Sequence, residues 1–154
     1  MFVLLCATNV AATALNDYHF MDVSFIDKLA WVHIMDKKIL MTRSHGKNTW
    51  YIGGGKREAG ESDEQALIRE VREECSVELV PNTIKHLGTF EAQAHGKPTG
   101  TIVRMTCYTG DCIGTLAPAE EIEEIAWFTY ADREKTAPVD KIILDWLKER
   151  DMIE

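Results

Sequence analysis

The chain has 154 residues, of which 45% are hydrophobic and 27% are charged, and its formal net charge is −8 at pH 7. These values are ordinary for a soluble globular protein, and the length suits one domain with a packed core. The acidic balance argues against a general nucleic-acid-binding surface, although metal ions can still bridge an acidic site to the phosphates of a nucleotide.

The first twenty residues are more apolar and smaller than the rest of the chain, and no Lys or Arg precedes Lys28. A signal peptide has a positive region before its apolar run, and a membrane helix needs about 20 apolar residues. Thr8 and Asn9 interrupt the apolar run here. We therefore expect neither a signal peptide nor a membrane helix, and no membrane partner.

Two other interpretations of this stretch stay open. The Ala-Thr-Ala sequence before Leu15 is compatible with secretion, and Met21 is an alternative natural start. We predict an N-terminal extension of uncertain role over residues 1–25 and a single domain over 26–154. The core would begin near Ser24, and residues 1–20 would be dispensable for activity.

The cysteines show no CxxC or Cys/His spacing that would indicate a metal site. They are Cys6, Cys75, Cys107 and Cys112. We expect reduced and mostly buried thiols in a cytoplasmic protein.

Short runs rich in β-branched and aromatic residues alternate with turn residues along the rest of the chain. The predicted strands are 29–35, 39–42, 87–94, 101–109 and 125–128. A turn at 36–38 would join the first two strands, and a loop at 95–100 would close a hairpin between the third and fourth. From Pro138 onwards, apolar residues at helical spacing predict an amphipathic C-terminal helix. These residues are Val139, Ile142, Ile143, Trp146 and Leu147.

A second helix is predicted between the first and second pairs of strands, directly after three consecutive glycines. Ser62 and Gln65 form a capping-box pattern at its start. At about 100° per residue, Glu70, Glu73 and Glu74 share one arc of the helix, beside an apolar face that would be buried. Like charges at this spacing destabilise an isolated helix, so divalent cations with oxygen ligands are the expected partners. A solvated charged face is the alternative interpretation.

This segment resembles the signature of the Nudix hydrolase family, which is Gly, five residues, Glu, seven residues, then Arg-Glu-apolar-any-Glu-Glu-any-Gly-apolar. The matching positions are Gly55, Glu61, Arg69, Glu70, Val71, Glu73, Glu74, Ser76 and Val77. Chance agreement of the charged and Gly positions is on the order of one in a hundred thousand. Two positions depart from the family pattern. Ser76 replaces the Gly that usually ends the helix in a left-handed conformation, and Gly53 replaces a Pro.

The resemblance covers residues 26–150 and implies a Nudix-type α/β/α sandwich, with a mixed sheet, a catalytic loop-helix and a C-terminal helix. That agrees with the strand and helix pattern, which indicates an α/β sandwich with helices on both faces of a mixed sheet. The resemblance also implies hydrolysis of a diphosphate linked to another moiety, usually a nucleoside. Mg²⁺ is the implied cofactor, and Mn²⁺ can substitute for it.

Several residues take roles from the resemblance. The implied metal-binding residues are Gly54 through its carbonyl, Glu61, Glu70, Glu73 and Glu74. Glu61 would either stand behind the metal ligands or bind the metal through water. Arg69 lies beside Glu73 on the helical wheel, and we expect it to orient that carboxylate by ion pairing.

The general base is sought in the acidic loop over residues 119–124. A Glu before the last strand often activates water or joins the metals in this family, and Glu121 is the best match. Glu120 and Glu123 are better interpreted as a solvated edge, which is also the alternative for Glu121. Among the basic residues, we single out Arg43, before the glycines, and Lys56, inside the signature, for contact with substrate phosphates.

The favoured reaction is hydrolysis of a nucleoside triphosphate to a monophosphate and pyrophosphate by metal-activated water. A nucleotide sugar, ADP-ribose or a dinucleoside polyphosphate are alternative substrates. A non-catalytic, nucleotide-sensing Nudix module is the alternative from another class, although such modules usually lack part of the Glu-Glu pair that this chain keeps. The sequence leaves open the substrate, the general base and the oligomeric state, a homodimer included.

Overall fold

The computed structural model of the protein describes residues 23–154. Most of the predicted N-terminal extension, and Cys6 with it, lies outside these residues. The first strand begins at Ser24. Ser24 and Phe25, at the end of the predicted extension, therefore belong to this strand.

The described chain contains eight strands and two α-helices. The strands are β1 (Ser24–Trp31), β2 (Ile34–Met35), β3 (Lys38–Ser44), β4 (Glu78–Leu79), β5 (Lys85–Gln93), β6 (Thr101–Thr109), β7 (Cys112–Ile113) and β8 (Ile122–Phe128). The helices are α1 (Asp63–Cys75) and α2 (Pro138–Glu149), and short 3₁₀ turns cover Pro81–Thr83 and Tyr130–Lys135. No helix within residues 23–154 is long and apolar enough to cross a membrane.

The strands form a mixed sheet, an antiparallel sheet and a short ribbon. The mixed sheet has the order β1-β6-β5, in which β1 runs parallel and β5 antiparallel to β6. The antiparallel sheet has the order β2-β3-β8, and β4 pairs with β7. The predicted hairpin is formed by β5 and β6.

The two helices cover opposite faces of β1. Leu29 of β1 packs in one apolar cluster with Val71 of α1, whereas Ala30 packs in the other with Ile143 of α2. Because successive residues of a strand point to opposite faces, the two clusters lie on opposite sides of the strand. This arrangement confirms the predicted α/β sandwich.

The prediction of one strand over 29–35 is wrong. Pairing between β1 and β6 ends at Trp31. The next amide, that of Val32, donates to the carbonyl of Tyr108 (2.8 Å), whereas the His33 carbonyl accepts from the amide of Leu40 (2.9 Å). The chain therefore changes from the mixed sheet to the antiparallel sheet at these two residues, and only β2 continues beyond them.

Helix α1 has the predicted start and ends at the residue that departs from the family pattern. The Ser62 hydroxyl accepts from the Gln65 amide (3.2 Å), and the Gln65 side chain accepts from the Ser62 amide (2.9 Å). Ser76 is left-handed (φ 60°, ψ 22°), and its amide donates to the Arg72 carbonyl (3.1 Å). The serine thus adopts the conformation usually given to glycine, at a cost of about 1–2 kcal/mol.

Helix α2 confirms the predicted C-terminal helix, with one exception on its apolar face. Val139, Ile143 and Leu147 are buried, but Ile142 is 41% exposed. Helical spacing places Ile142 next to the buried stripe without deciding on which side of its edge it lies. The cysteines of the described chain are free, and Cys75 and Cys107 are buried as expected.

Candidate active site

The three glycines lie against β1 as an extra strand-like segment. The Leu29 amide donates to the Gly55 carbonyl (2.8 Å), and the Trp31 amide donates to the Gly53 carbonyl (2.9 Å). Gly54, between them, has a φ of 141°, and a Cβ there would collide with the Leu29 carbonyl oxygen. Both the left-handed conformation and the close approach to β1 therefore require glycine at this position.

The glycine segment also contacts the acidic side of α1. A Cβ on Gly55 would overlap the carboxylate of Glu70. The Gly54 amide donates to Oε2 of Glu74 (2.8 Å), whose residue is only 6% exposed. The loop and helix of the signature are thus fitted to each other through backbone and carboxylate.

Glu74 is a buried carboxyl among other carboxyls. Burial raises its pKa to about 8, and the nearby charges of Glu121 and Glu70 also raise it, while the Gly54 hydrogen bond and Lys28 lower it. A group in this position resists ionisation when no cation is present. A bound cation would reverse that preference, because it favours the charged form.

A cavity of about 530 Å³ opens beside these residues, and both acidic residues and lysines line it. The charged lining residues are Glu70, Glu74, Glu121, Lys28, Lys47 and Lys56. Glu121 therefore reaches the carboxylates of α1 from the loop before β8, whereas Glu120 does not line the cavity. The arrangement provides carboxylates for cations and ammonium groups for an anionic substrate.

Arg69 has partners in addition to the one expected. Its Nε and Nη2 donate to the two oxygens of Glu61 (2.7 and 2.8 Å), and its Nη1 donates to Glu70 (2.8 Å). The predicted partner, Glu73, lies farther away at 3.4 Å. The ion pair with Glu73 is therefore present but longer than those with Glu61 and Glu70, because the bidentate pair with Glu61 fixes the guanidinium first.

Glu61 is held as a carboxylate by its surroundings. Hydrogen bonds from Arg69 and from the Glu58 amide lower its pKa to about 2. Both of its oxygens are occupied by these donors. Of the two alternatives for Glu61, this geometry favours a place behind Glu70 over binding of a metal through water.

The chemistry of the donors fits a divalent cation. Glu70, Glu74 and Glu121 supply carboxylate oxygens, and the Gly54 carbonyl has no backbone partner among residues 23–154. All-oxygen ligands are preferred by Mg²⁺ and Mn²⁺. No three acidic, histidine or thiol side chains of the described chain converge closely enough to hold an ion as they stand. Glu73, with 45% of its side chain exposed, does not line the cavity.

The structure does not bring Arg43 to the cavity. Its guanidinium is paired with Glu123 and Glu124 (2.8 Å each) and lies 5.5 Å from the ring of Trp50. The charge of Arg43, which was expected to contact phosphates, is therefore paired with two carboxylates of β8. Glu123, expected at a solvated edge, is half-exposed and serves this pair. Lys56, the other basic residue singled out for phosphate contact, lines the cavity.

Two lysines in the cavity are not distinguished by the sequence. Lys28 alternates with Ile26 and Ala30 on the face of β1 that turns toward α2, which becomes visible only when the strand begins at Ser24. Lys47 belongs to the basic loop after β3, where nothing in the local pattern separates it from Arg43.

A second, smaller cavity of about 180 Å³ adjoins the first and shares Lys28, Tyr51 and Lys56 with it. Its apolar lining residues are Ile26, Ala94, Val103, Met105, Ala137, Pro138 and Val139. Gln93, His95 and Lys97 add polar groups from the β5–β6 hairpin. The pair of cavities therefore has a charged part beside α1 and a largely apolar part beside the start of α2.

The raised pKa of Glu74 predicts how stability depends on pH. A carboxyl whose folded pKa of about 8 exceeds its ordinary value of 4.5 binds a proton more tightly in the folded state. Its contribution to the free energy of unfolding is therefore largest below about pH 4.5 and is lost as the pH rises through 8. We expect the Tm of the metal-free wild type to fall more between pH 5.5 and pH 8 than the Tm of metal-free Glu74→Gln. Identical pH profiles for the two proteins would contradict the raised pKa.

Residues 28–147 match the sequence model of the NUDIX domain. The CTP pyrophosphohydrolase of Escherichia coli is 31% identical over 110 residues, which cover 68% of this chain and 76% of that protein. The ADP-ribose pyrophosphatase of Methanocaldococcus jannaschii is 27% identical over 117 residues, covering 73% and 68% of the two chains.

Solved structures show the same architecture. The solution structure of the E. coli ORF135 protein has a TM-score of 0.65 and 27% identity, and the match covers 83% of this chain and 92% of that one. The MutT protein from Methanosarcina mazei Go1 has a TM-score of 0.67 over 84% and 97% of the two chains, and at 18% identity it supports the fold alone. Nudix hydrolases generally use divalent metal ions, which agrees with the oxygen donors of the cavity. From the match to the NUDIX domain over most of its length, the chain belongs to the Nudix hydrolase family.

Proposed function

We propose that this Nudix hydrolase cleaves a diphosphate bond in a nucleotide-type substrate with Mg²⁺ as its cofactor, for which Mn²⁺ can substitute. The favoured reaction is hydrolysis of a nucleoside triphosphate to a monophosphate and pyrophosphate. One observation carries the proposal: Glu70, Glu74 and Glu121 share a cavity with three lysines. A diphosphate with its cations needs both kinds of group in one place.

The acidic residues of the site have two proposed roles, binding of cations and acceptance of a proton. Glu70, Glu73, Glu74 and the Gly54 carbonyl would hold the cations, which neutralise the diphosphate and lower the pKa of the attacking water when bound. For Glu73, this requires its exposed side chain to turn toward the cavity. Glu121 lies outside α1 but lines the same cavity, and it accepts the proton of the water.

The remaining residues of the signature and the lysines position these groups. Arg69 fixes Glu61 and Glu70 by charge-assisted hydrogen bonds. Lys28 and Lys56 line both cavities, which supports a role in binding phosphate oxygens at the junction. This division requires neither a nucleophilic side chain nor a covalent intermediate.

The smaller cavity is the proposed place of the nucleoside part of the substrate. Its apolar residues, Ile26, Val103 and Met105 among them, suit the face of a base, and Gln93 offers a hydrogen-bonding amide at its edge. The similarity to a CTP pyrophosphohydrolase supports a nucleoside triphosphate. The similarity to an ADP-ribose pyrophosphatase supports ADP-ribose as a second candidate. The free thiols of the described chain support a reducing, cytoplasmic location.

The test is a panel of substrates with Mg²⁺, with products separated by ion-exchange chromatography. The panel contains nucleoside triphosphates, a nucleotide sugar, ADP-ribose and a dinucleoside polyphosphate. Conversion of a triphosphate to monophosphate and pyrophosphate is expected. Hydrolysis of ADP-ribose alone would replace the favoured substrate, and binding of a nucleotide without hydrolysis of any compound would favour the non-catalytic module. In ¹⁸O-water, one phosphate-containing product should carry the label, whereas a trapped phosphoryl-enzyme would contradict direct attack by water.

A further inference from the structure

Two acidic side chains are buried in the described chain, and both bind the same short loop. Glu74 is 6% exposed and Asp140 is 0% exposed. Glu74 accepts the Gly54 amide (2.8 Å), and Oδ1 of Asp140 accepts the Ile52 amide (3.0 Å). Glu74 comes from α1 and Asp140 from α2. The loop is therefore held at amides two residues apart by one carboxyl from each helix.

The segment before the glycines is docked on the beginning of α2. The Trp50 amide donates to the carbonyl of Lys135 (3.0 Å), and the Trp50 carbonyl accepts from the Ala137 amide (3.2 Å). Asp140 adds the third bond, to Ile52. The first two bonds join backbone to backbone, so Asp140 is the side chain through which the sequence fixes this junction.

Asp140 occupies an unfavourable position for a residue that only fills the core. Its Oδ2 is buried without any hydrogen-bond partner in residues 23–154. Burial raises its pKa to about 7, against the Ile52 hydrogen bond and the charge of Lys28. A place in the first turn of α2 compensates in part, because helix N-termini attract negative charge. An apolar residue of similar size would avoid the cost of burying this carboxyl, so a function at the loop is the better explanation of it.

We propose that Asp140 is a positioning residue for the metal-binding loop. By holding the Ile52 amide, it fixes the path of Gly53 and Gly54 against β1, and with them the Gly54 carbonyl and the amide that orients Glu74. Asp140 lines neither cavity, so it touches neither substrate nor metal. This role lies outside the signature segment and rests on the proposed function only in that Gly54 and Glu74 hold the cation.

The test compares three variants in the full chain. Asp140→Leu removes the acceptor, whereas Asp140→Asn keeps an oxygen for the Ile52 amide. Leu147→Ala is the matched control, because Leu147 is fully buried on the same helix but lies seven residues, about 10 Å, away from Asp140. The measurements are the Mn²⁺ dissociation constant by electron paramagnetic resonance, hydrogen exchange of the Ile52 and Gly54 amides in metal-free protein, and Tm.

Asp140→Leu is expected to weaken Mn²⁺ binding by about tenfold or more, as loss of a residue that orients metal ligands does. It should also accelerate exchange at both amides. Asp140→Asn should stay within about threefold of the wild-type dissociation constant, because its oxygen can still accept from the Ile52 amide without the charge. Leu147→Ala should lower Tm and leave both local measurements unchanged. Should Asp140→Leu not fold, Asp140→Ser, whose shorter side chain adds no bulk, replaces it in the same comparison.

A folded Asp140→Leu protein with wild-type Mn²⁺ affinity and wild-type Gly54 exchange would overturn the proposal. Equal losses in Leu147→Ala would also overturn it, because they would trace the effect to stability alone. Wild-type protein that binds no Mn²⁺ would instead count against the proposed function. In that case, exchange at Gly54 still decides whether Asp140 positions the loop.

Discussion

Excess EDTA is expected to abolish turnover, and addition of Mg²⁺ or Mn²⁺ is expected to restore it. The cavity brings Glu70, Glu74 and Glu121 together with the lysines that are proposed to bind the diphosphate. Without cations, these carboxylates would repel the substrate, and the water from which Glu121 takes a proton would keep its ordinary high pKa. Each tenfold loss of rate corresponds to about 1.4 kcal/mol in the barrier. We expect removal of the cations to give the largest single loss, because it affects both substrate binding and the attacking water. The measurement is pyrophosphate release with and without the chelator.

The control for this experiment is the fold of the protein in EDTA. Glu74 can bind a proton when no cation is present, because its pKa is raised to about 8. Metal removal should therefore leave a folded protein with unchanged far-ultraviolet circular dichroism. Mg²⁺ should raise Tm in a concentration-dependent way, since a ligand that binds only the folded state stabilises it. Full turnover in excess EDTA would end the metal-dependent interpretation.

The parts of the site that follow from sequence are those specified by local spacing. Ser62 and Gln65 cap α1 as their three-residue separation predicts. Glu70 and Glu74 of α1 line one cavity, whereas Glu73 does not. Glu121, predicted from the resemblance, lines the same cavity as Glu70 and Glu74. Ser76 adopts the left-handed conformation, so the helix ends at the position that the family pattern indicates even though serine replaces glycine there.

The parts that do not follow from sequence depend on pairing between distant segments. Arg43 and Glu124 are neighbours only because β3 and β8 pair in that register. Asp140 reaches Ile52, 88 residues earlier, through the docking of α2 on the loop. No local pattern encodes either contact, since both partners are ordinary charged or apolar residues in their own segments. The same holds for the break between β1 and β2, which reflects a change of sheet and not a turn residue.

Glu74→Gln is expected to lower turnover by a hundredfold or more, which corresponds to about 3 kcal/mol in the barrier. The amide keeps the size of the side chain and an oxygen that can accept from the Gly54 amide, so the loop should stay in place. It also removes one charge beside Glu70 and Glu121. The metal-free variant should therefore be as stable as the wild type or slightly more stable, while its affinity for cations falls.

Three further glutamine substitutions locate the effect. Glu73→Gln should also lose about a hundredfold if the exposed carboxylate turns toward the cation. Glu121→Gln should give an intermediate or severe loss, because this residue lines the cavity and is the proposed base. Glu120→Gln is the matched control, since its neighbour on the same loop lines the cavity and Glu120 does not. It should retain nearly the wild-type rate.

Measuring Tm without metal and turnover with Mg²⁺ for all four variants separates the stability of α1 from its chemistry. A charged helix without a catalytic role predicts four rates near that of the wild type, together with equal or higher stability for the helix variants. A metal site predicts that rate and stability change in opposite directions at Glu74, because the charge that destabilises the metal-free helix is the charge that binds the cation. Near-normal rates for both Glu73→Gln and Glu74→Gln would defeat the catalytic assignment of α1. A normal rate for Glu121→Gln alone would remove only the proposed base and leave the metal site intact.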